Sequence, residues 1–112
     1  MDRGDIVRAP FEYSDLTGDK RRPACVVSVE AFNRTGDVVI AMITSRQSRL
    51  AAPSFGDVVL ENWQEEGLLR PSVLRAGRLL ARSIDMLSEP RGRLRAGDLR
   101  SVEAALRKVF GL

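Results

Sequence analysis

Histidine is absent from this chain of 112 residues, and cysteine occurs once, as Cys25. Zinc sites are built mainly from these two residue types, so zinc chemistry is effectively excluded. A lone cysteine cannot close an internal disulfide. Within the apolar run Ala24-Cys25-Val26-Val27 it reads as a small buried hydrophobe, which fits a reducing cytoplasm. No apolar run approaches the roughly 20 residues that a membrane-spanning helix needs. Met1-Asp2-Arg3-Gly4-Asp5 has none of the features of a signal peptide. Aromatic residues make up only 5% of the chain, too few for a base-stacking platform, so Phe11, Tyr13 and Trp63 are expected to fill the core or a dimer contact. Lysine is also scarce, with Lys20 and Lys108 the only two.

Hydrophobic residues make up 44% of the chain and charged residues 29%, the balance of an ordinary folded protein. At this length the expectation is one domain, residues 1–112, with a modest core. Charge is unevenly placed. Residues 1–69 hold eight basic and eleven acidic side chains, a net of −3, while residues 70–112 hold ten and four, a net of +6. The basic half is almost entirely arginine, a surface suited to a polyanion such as a nucleic acid or an acidic peptide.

Alternation of apolar and polar residues over Asp5 to Ala9 predicts a first strand. Phe11 to Arg21 reads as a loop with a turn at Thr17-Gly18-Asp19. Pro23 to Val29 is a Val-rich buried strand. Asn33-Arg34-Thr35-Gly36-Asp37 has hairpin-turn chemistry and Val38 to Thr44 returns as its partner. Ser45 to Ser54 reads as a loop and Gly56 to Glu61 as a short strand. Glu61 to Gly67 reads as one helical turn stopped by Gly67. Ser72 to Arg75 and Leu79 to Ile84 are further strands, with Gly77 marking a bulge between them. Leu99, Val102, Ala105, Leu106, Val109 and Phe110 form one apolar stripe at helical spacing, with Asp98 in the first turn, Arg107 and Lys108 in the last, and Gly111 as the stop. One helix cannot cover both faces of a five-stranded sheet, so the sheet must curl. The expected fold is mostly β with a C-terminal α-helix, a small SH3-like antiparallel β-barrel.

Two strand mouths carry polar chemistry. Arg21-Arg22-Pro23 runs into the strand that begins at Ala24, and Pro23 biases Arg22 towards extended backbone. Ile40-Ala41-Met42-Ile43 runs out into Thr44-Ser45, which offers two hydroxyls. An arginine and two hydroxyls converging on one cleft would grip a phosphate.

With the opening Arg3-Gly4-Asp5-Ile6-Val7, the stretch Asp15 to Ala24, Ala31-Phe32-Asn33, Thr44-Ser45 and Arg82-Ser83-Ile84-Asp85, these features resemble the MazF/PemK (Kid) family of toxin endoribonucleases over nearly the whole chain. The resemblance implies a barrel of the CcdB/MazF type, with Arg22 and Thr44 as catalytic residues. Ser45, Arg75, Arg21 and Lys20 would contact substrate. It also implies a homodimer that holds single-stranded RNA in a shared groove, for which Trp63 is a candidate anchor, and a cognate antitoxin with an acidic tail. No cofactor or membrane is implied. The activity would be metal-independent, sequence-selective cleavage of mRNA by its own 2′-OH, the toxin half of a toxin–antitoxin pair.

That reaction needs an acceptor for the 2′-OH proton, a donor for the leaving 5′-oxygen and positive charge for the phosphorane. A guanidinium clamps phosphate through its fork but does not take up a proton. The carboxylates left to accept it are Glu12, Asp15 and Asp19, although Asp15 and Asp19 also suit turns. Many relatives carry an aspartate at the position of Gly77, so an acidic residue introduced there is expected to raise the rate. The competing reading is a non-catalytic barrel of the same fold, either a gyrase poison or a homologue that only binds RNA or antitoxin.

Overall fold

The near-continuous apolar runs become strands that are packed on both faces. The computed structural model describes residues 1–11 and 21–112. Its strands are β1 (Asp5–Pro10), β2 (Arg21–Val26), β3 (Asp37–Thr44), β4 (Asp57–Val59), β5 (Val73–Ser83) and β6 (Gly92–Arg93), in the order β4-β5-β3-β2-β1-β6. Every ladder is antiparallel. Alternate residues of the same strands feed two cores. Ile6, Cys25, Ala41, Ile43 and Leu74 face one, beneath the C-terminal helix α3 (Ala96–Phe110), where Val102 and Ala105 are buried. Val7, Ala9, Ala24, Val26, Val38 and Ile40 face the other, with Phe11. Because strand residues point alternately to opposite faces, a sheet covered on both sides reads as an unbroken apolar run.

The curl comes from β5. Met42 pairs with Arg75 but its neighbour Ala41 pairs with Leu79, so residues 76–78 bulge out of the ladder. A bulge of this kind bends and twists its strand. The sheet curls into a half-barrel: among the described residues, no ladder joins β4 to β6.

Several boundaries differ from expectation. The bend after β2 is a helical turn, α1 (Glu30–Asn33), and not a tight hairpin. Asn33 is buried there and its amide donates to Met1 O and Ser28 O. The loop after Thr44 contains a short helix, α2 (Gln47–Ala51). Val73–Ser83 is one bulged strand where two were expected.

Helix α3 shows its stripe at Leu99, Val102, Ala105, Leu106 and Val109, while Phe110, expected to belong to it, is exposed, and Gly111 closes the helix at φ +69°. Asp98, expected to act on the dipole alone, is buried. Its two carboxylate oxygens accept the backbone N–H groups of Glu61 and Asn62 at 3.2 and 3.1 Å. No helix among the described residues is long and apolar enough to cross a membrane.

Candidate active site

Where β2 and β3 part company they leave a cleft. Their ladder ends at Ala24–Met42. Continuing the same register by two residues sets Arg22 opposite Thr44, at the mouth of the gap. Pro23 belongs at that boundary, because a residue without an N–H weakens a ladder but costs little where the ladder has stopped. The cleft has a volume of about 260 Å³, and Arg22, Thr44 and Ser45 all line it. Thr44 is 8% exposed and its Oγ1 accepts the backbone N–H of Arg46 at 3.2 Å. That bond occupies a lone pair and leaves the hydroxyl hydrogen to donate elsewhere.

Four more arginines line the same cleft: Arg8 from β1, Arg46 after β3, Arg70 before β5 and Arg91 before β6. Among the described residues, no carboxylate lines it. Five arginines, with no carboxylate among the described lining residues, suit an anion better than the sequence motif alone implies. Arg46 follows Ser45 directly, whereas Arg70 and Arg91 arrive from segments remote in sequence. The surplus of arginine after residue 70 was the one available signal for the last two.

Other expected site residues lie elsewhere. Arg75 does not line the cleft. Its Nε donates to Asp57 Oδ1 at 3.1 Å, and both side chains are largely buried, so it ties β5 to β4. Arg21 is exposed, outside the cleft, and its guanidinium donates to Met86 O at 3.1 Å. Lys20, Asp15 and Asp19 lie outside the described residues, as do Glu12 and Tyr13. Trp63 packs against the core under α3. Cys25 is fully buried, and burial pushes its thiol up to about 12, which rules it out as a nucleophile at neutral pH.

Gly77 is also outside the cleft. Its φ is not positive, and a Cβ there would meet nothing within 4 Å. Space and backbone therefore permit an aspartate, but its carboxylate would stand away from the arginines. Gly77→Asp is expected to melt no lower than wild type and to cleave RNA no faster, in place of the gain expected from sequence. A rate increase of tenfold or more would show that this bulge does reach the reacting phosphate.

Residues 2–110 match the family of PemK-like, MazF-like toxins of type II toxin–antitoxin systems, and the chain belongs to that family. A search of curated proteins gives no match. Among solved structures, the fold is similar to an endoribonuclease from a Mycobacterial species in complex with its cognate antitoxin. The TM-score is 0.79 at 24% identity, covering 100% of this chain and 96% of that one. It is also similar to the MazE–MazF complex of Deinococcus radiodurans, at TM-score 0.75 and 26% identity, covering 100% and 96%. The Mycobacterium tuberculosis toxin MazF-mt6 matches at TM-score 0.75 and 23% identity, covering 96% and 97%.

Proposed function

We propose that this chain is a metal-independent endoribonuclease that cuts single-stranded RNA in the arginine cleft, as the toxin of a toxin–antitoxin pair. The observation that carries the reading is that Arg22 and Thr44 line one cleft together with four further arginines, with no carboxylate among the described lining residues. The solved relatives that are endoribonucleases, or that are bound to an antitoxin, support it.

In the reaction the ribose 2′-oxygen attacks the adjacent phosphorus as its proton leaves. A phosphorane forms, and the 5′-oxygen departs with a proton. Arg22 grips the non-bridging oxygens through its fork, and Thr44 and Ser45 donate hydroxyl hydrogen bonds to the same oxygens. Arg8, Arg46, Arg70 and Arg91 neutralise the flanking phosphates. The carboxylates that the sequence offers as proton acceptor are Glu12, Asp15 and Asp19. The acidic antitoxin tail would compete for the same guanidiniums, and the working unit would be a cytoplasmic homodimer. A gyrase poison has no use for Arg22 opposite Thr44, and no feature of the cleft favours that reading.

The test is product chemistry. With a single-stranded RNA oligonucleotide and excess EDTA, cleavage is expected to continue. It should leave a 2′,3′-cyclic phosphate on the 5′ fragment and a free 5′-hydroxyl on the other. A requirement for added Mg²⁺, or a 3′-hydroxyl product, would sink the mechanism. Light scattering should give twice the protomer mass at micromolar concentration.

A further inference from the structure

The wall of the cleft formed by residues 67–70 is anchored by a buried pair of carboxyls that the chemistry above does not use. Glu66 is fully buried at the end of the 61–67 turn. Its Oε2 accepts the backbone N–H of Arg95, the residue preceding α3, at 2.8 Å. Asp98, from the first turn of α3, reaches back to the N–H groups of Glu61 and Asn62. Each carboxyl therefore caps the other's segment. The second Glu66 oxygen, Oε1, is buried and has no donor among the described residues. Asp98 is close enough to Glu66 to push its carboxyl up. Two carboxylates can only accept, so a hydrogen bond between them requires that one of them carry a proton.

We propose that Glu66 is a positioning residue for the cleft: by sharing one proton with Asp98 it holds the 61–67 turn, and with it the Gly67–Arg70 wall and Arg91, in place beside Arg22 and Thr44. The inference rests on the RNA-cleaving reading of the cleft. The connection is short and made of backbone. Gly67, Leu68 and Arg70 line the cleft directly after Glu66. The Glu66 carbonyl lies against Gly92, next to the cleft-lining Arg91.

The surroundings favour the protonated pair. Asp98 and the Arg95 amide face Glu66 from α3, Glu61 and Glu65 belong to its own turn, and the neutral Cys25 thiol of β2 lies within electrostatic reach. Nearby, Arg93 of β6 is engaged by Asp5 of β1 at 2.7 Å. Among the described residues, no arginine or lysine pairs with Glu66 or Asp98. Burial, above all, pushes the Glu66 carboxyl up to about 7. The Arg95 amide opposes that shift, and Asp98 and Glu65 add to it. A folded-state value raised above the unfolded one means that the stabilisation is complete below the unfolded value and is lost as pH rises through about 7.

Glu66→Gln tests the idea, because its amide can donate to Asp98 and accept from Arg95 at any pH. The quantities to follow on the full chain, between about pH 5.5 and 9, are kcat/KM on a single-stranded RNA oligonucleotide and the emission of Trp63, which sits in the turn itself. Wild type is expected to be about tenfold less active at pH 8 than at pH 6, with a Trp63 transition near neutrality. E66Q should lack both changes, while E65Q, altered at an exposed neighbour, should keep both. An alkaline decline shared by wild type and E66Q, or one abolished equally by E65Q, overturns the proposal. So does a flat Trp63 titration in wild type, which needs no variant to fold. A wild-type Trp63 transition together with no RNA cleavage at any pH would instead overturn the nuclease reading and leave the coupling of pair to turn supported.

Discussion

Replacing Arg22 with alanine is expected to lower RNA cleavage by about a thousandfold or more, while the melting temperature moves by no more than a degree or two. The size follows from the chemistry at the phosphate. Donors aimed at charge that develops on a reacting group are worth about 10²–10³ each, and arginines on transferred phosphoryl groups reach about 10³–10⁵. The small effect on stability follows from the site. Arg22 is half-buried at a strand end beyond the β2–β3 ladder, and among the described residues no carboxylate pairs with it. Substitutions at such positions usually stay within about 0.5 kcal/mol. Arg22→Lys should recover little, since a point charge does not reproduce the fork. Thr44→Ala is a less clean probe. It also removes the acceptor for the Arg46 amide at a buried position, at a cost of about 1 kcal/mol, so its loss of activity comes with a lower melting temperature. Thr44→Ser separates the two effects by keeping the hydroxyl. A kinetic trace for R22A within tenfold of wild type would remove Arg22 from the phosphate.

Arg22 and Thr44 were legible in the sequence because their pairing is a matter of register. Two apolar runs of similar length, joined by a bend, bring their polar ends to the same mouth whatever else the chain does. Helix α3 was legible because its stripe is local. The rest depends on the curl of the sheet. Arg70 and Arg91 reach the cleft through that curl: the bulge at residues 76–78 turns β5, and the 61–67 turn lies against Gly92. Arg75 resembles a substrate contact in sequence, but Asp57 on the neighbouring strand holds it. In sequence, an arginine with a partner across a ladder looks the same as one without. Glu66 and Asp98 look like surface charges there, yet one signal was present. Arg95 stands at the N-cap of α3 and has no side chain able to cap it, so the free amides at that helix start had to find an acceptor elsewhere.

Gly92→Ala should be the most damaging single substitution outside the arginine cluster. A Cβ built on Gly92 runs into the Glu66 carbonyl oxygen, stands 2.8 Å from the Glu66 carbonyl carbon and 3.5 Å from the Gly67 Cα. The contact is backbone against backbone, so no rotamer relieves it. Both sides are fixed: Gly92 pairs with Ile6, Arg91 N–H donates to Ile6 O at 2.7 Å, and Glu66 N–H donates to Asn62 O at 3.1 Å. The approach is tight from the other direction too, since Gly67 has φ +87° and a Cβ there would lie 2.9 Å from Arg91 O. Glycine is thus required on both sides of the crossing, at Gly92 for space and at Gly67 for space and conformation. Forcing the segments apart would stretch the Arg95–Glu66 bond and pull Arg91 from the Gly67–Arg70 wall. Overpacking of this kind costs about 1–3 kcal/mol where side chains can yield, and here they cannot, so a loss of about 3 kcal/mol or more is expected. Against a total stability of about 5–15 kcal/mol, that leaves a marginal fold. The check is urea unfolding of G92A followed by Trp63 emission, beside cleavage measured well below the midpoint. A wild-type midpoint would show that the two segments separate freely. In that case the wall of the cleft is not held by this crossing, and the positioning role of Glu66 loses its mechanical link to Arg91.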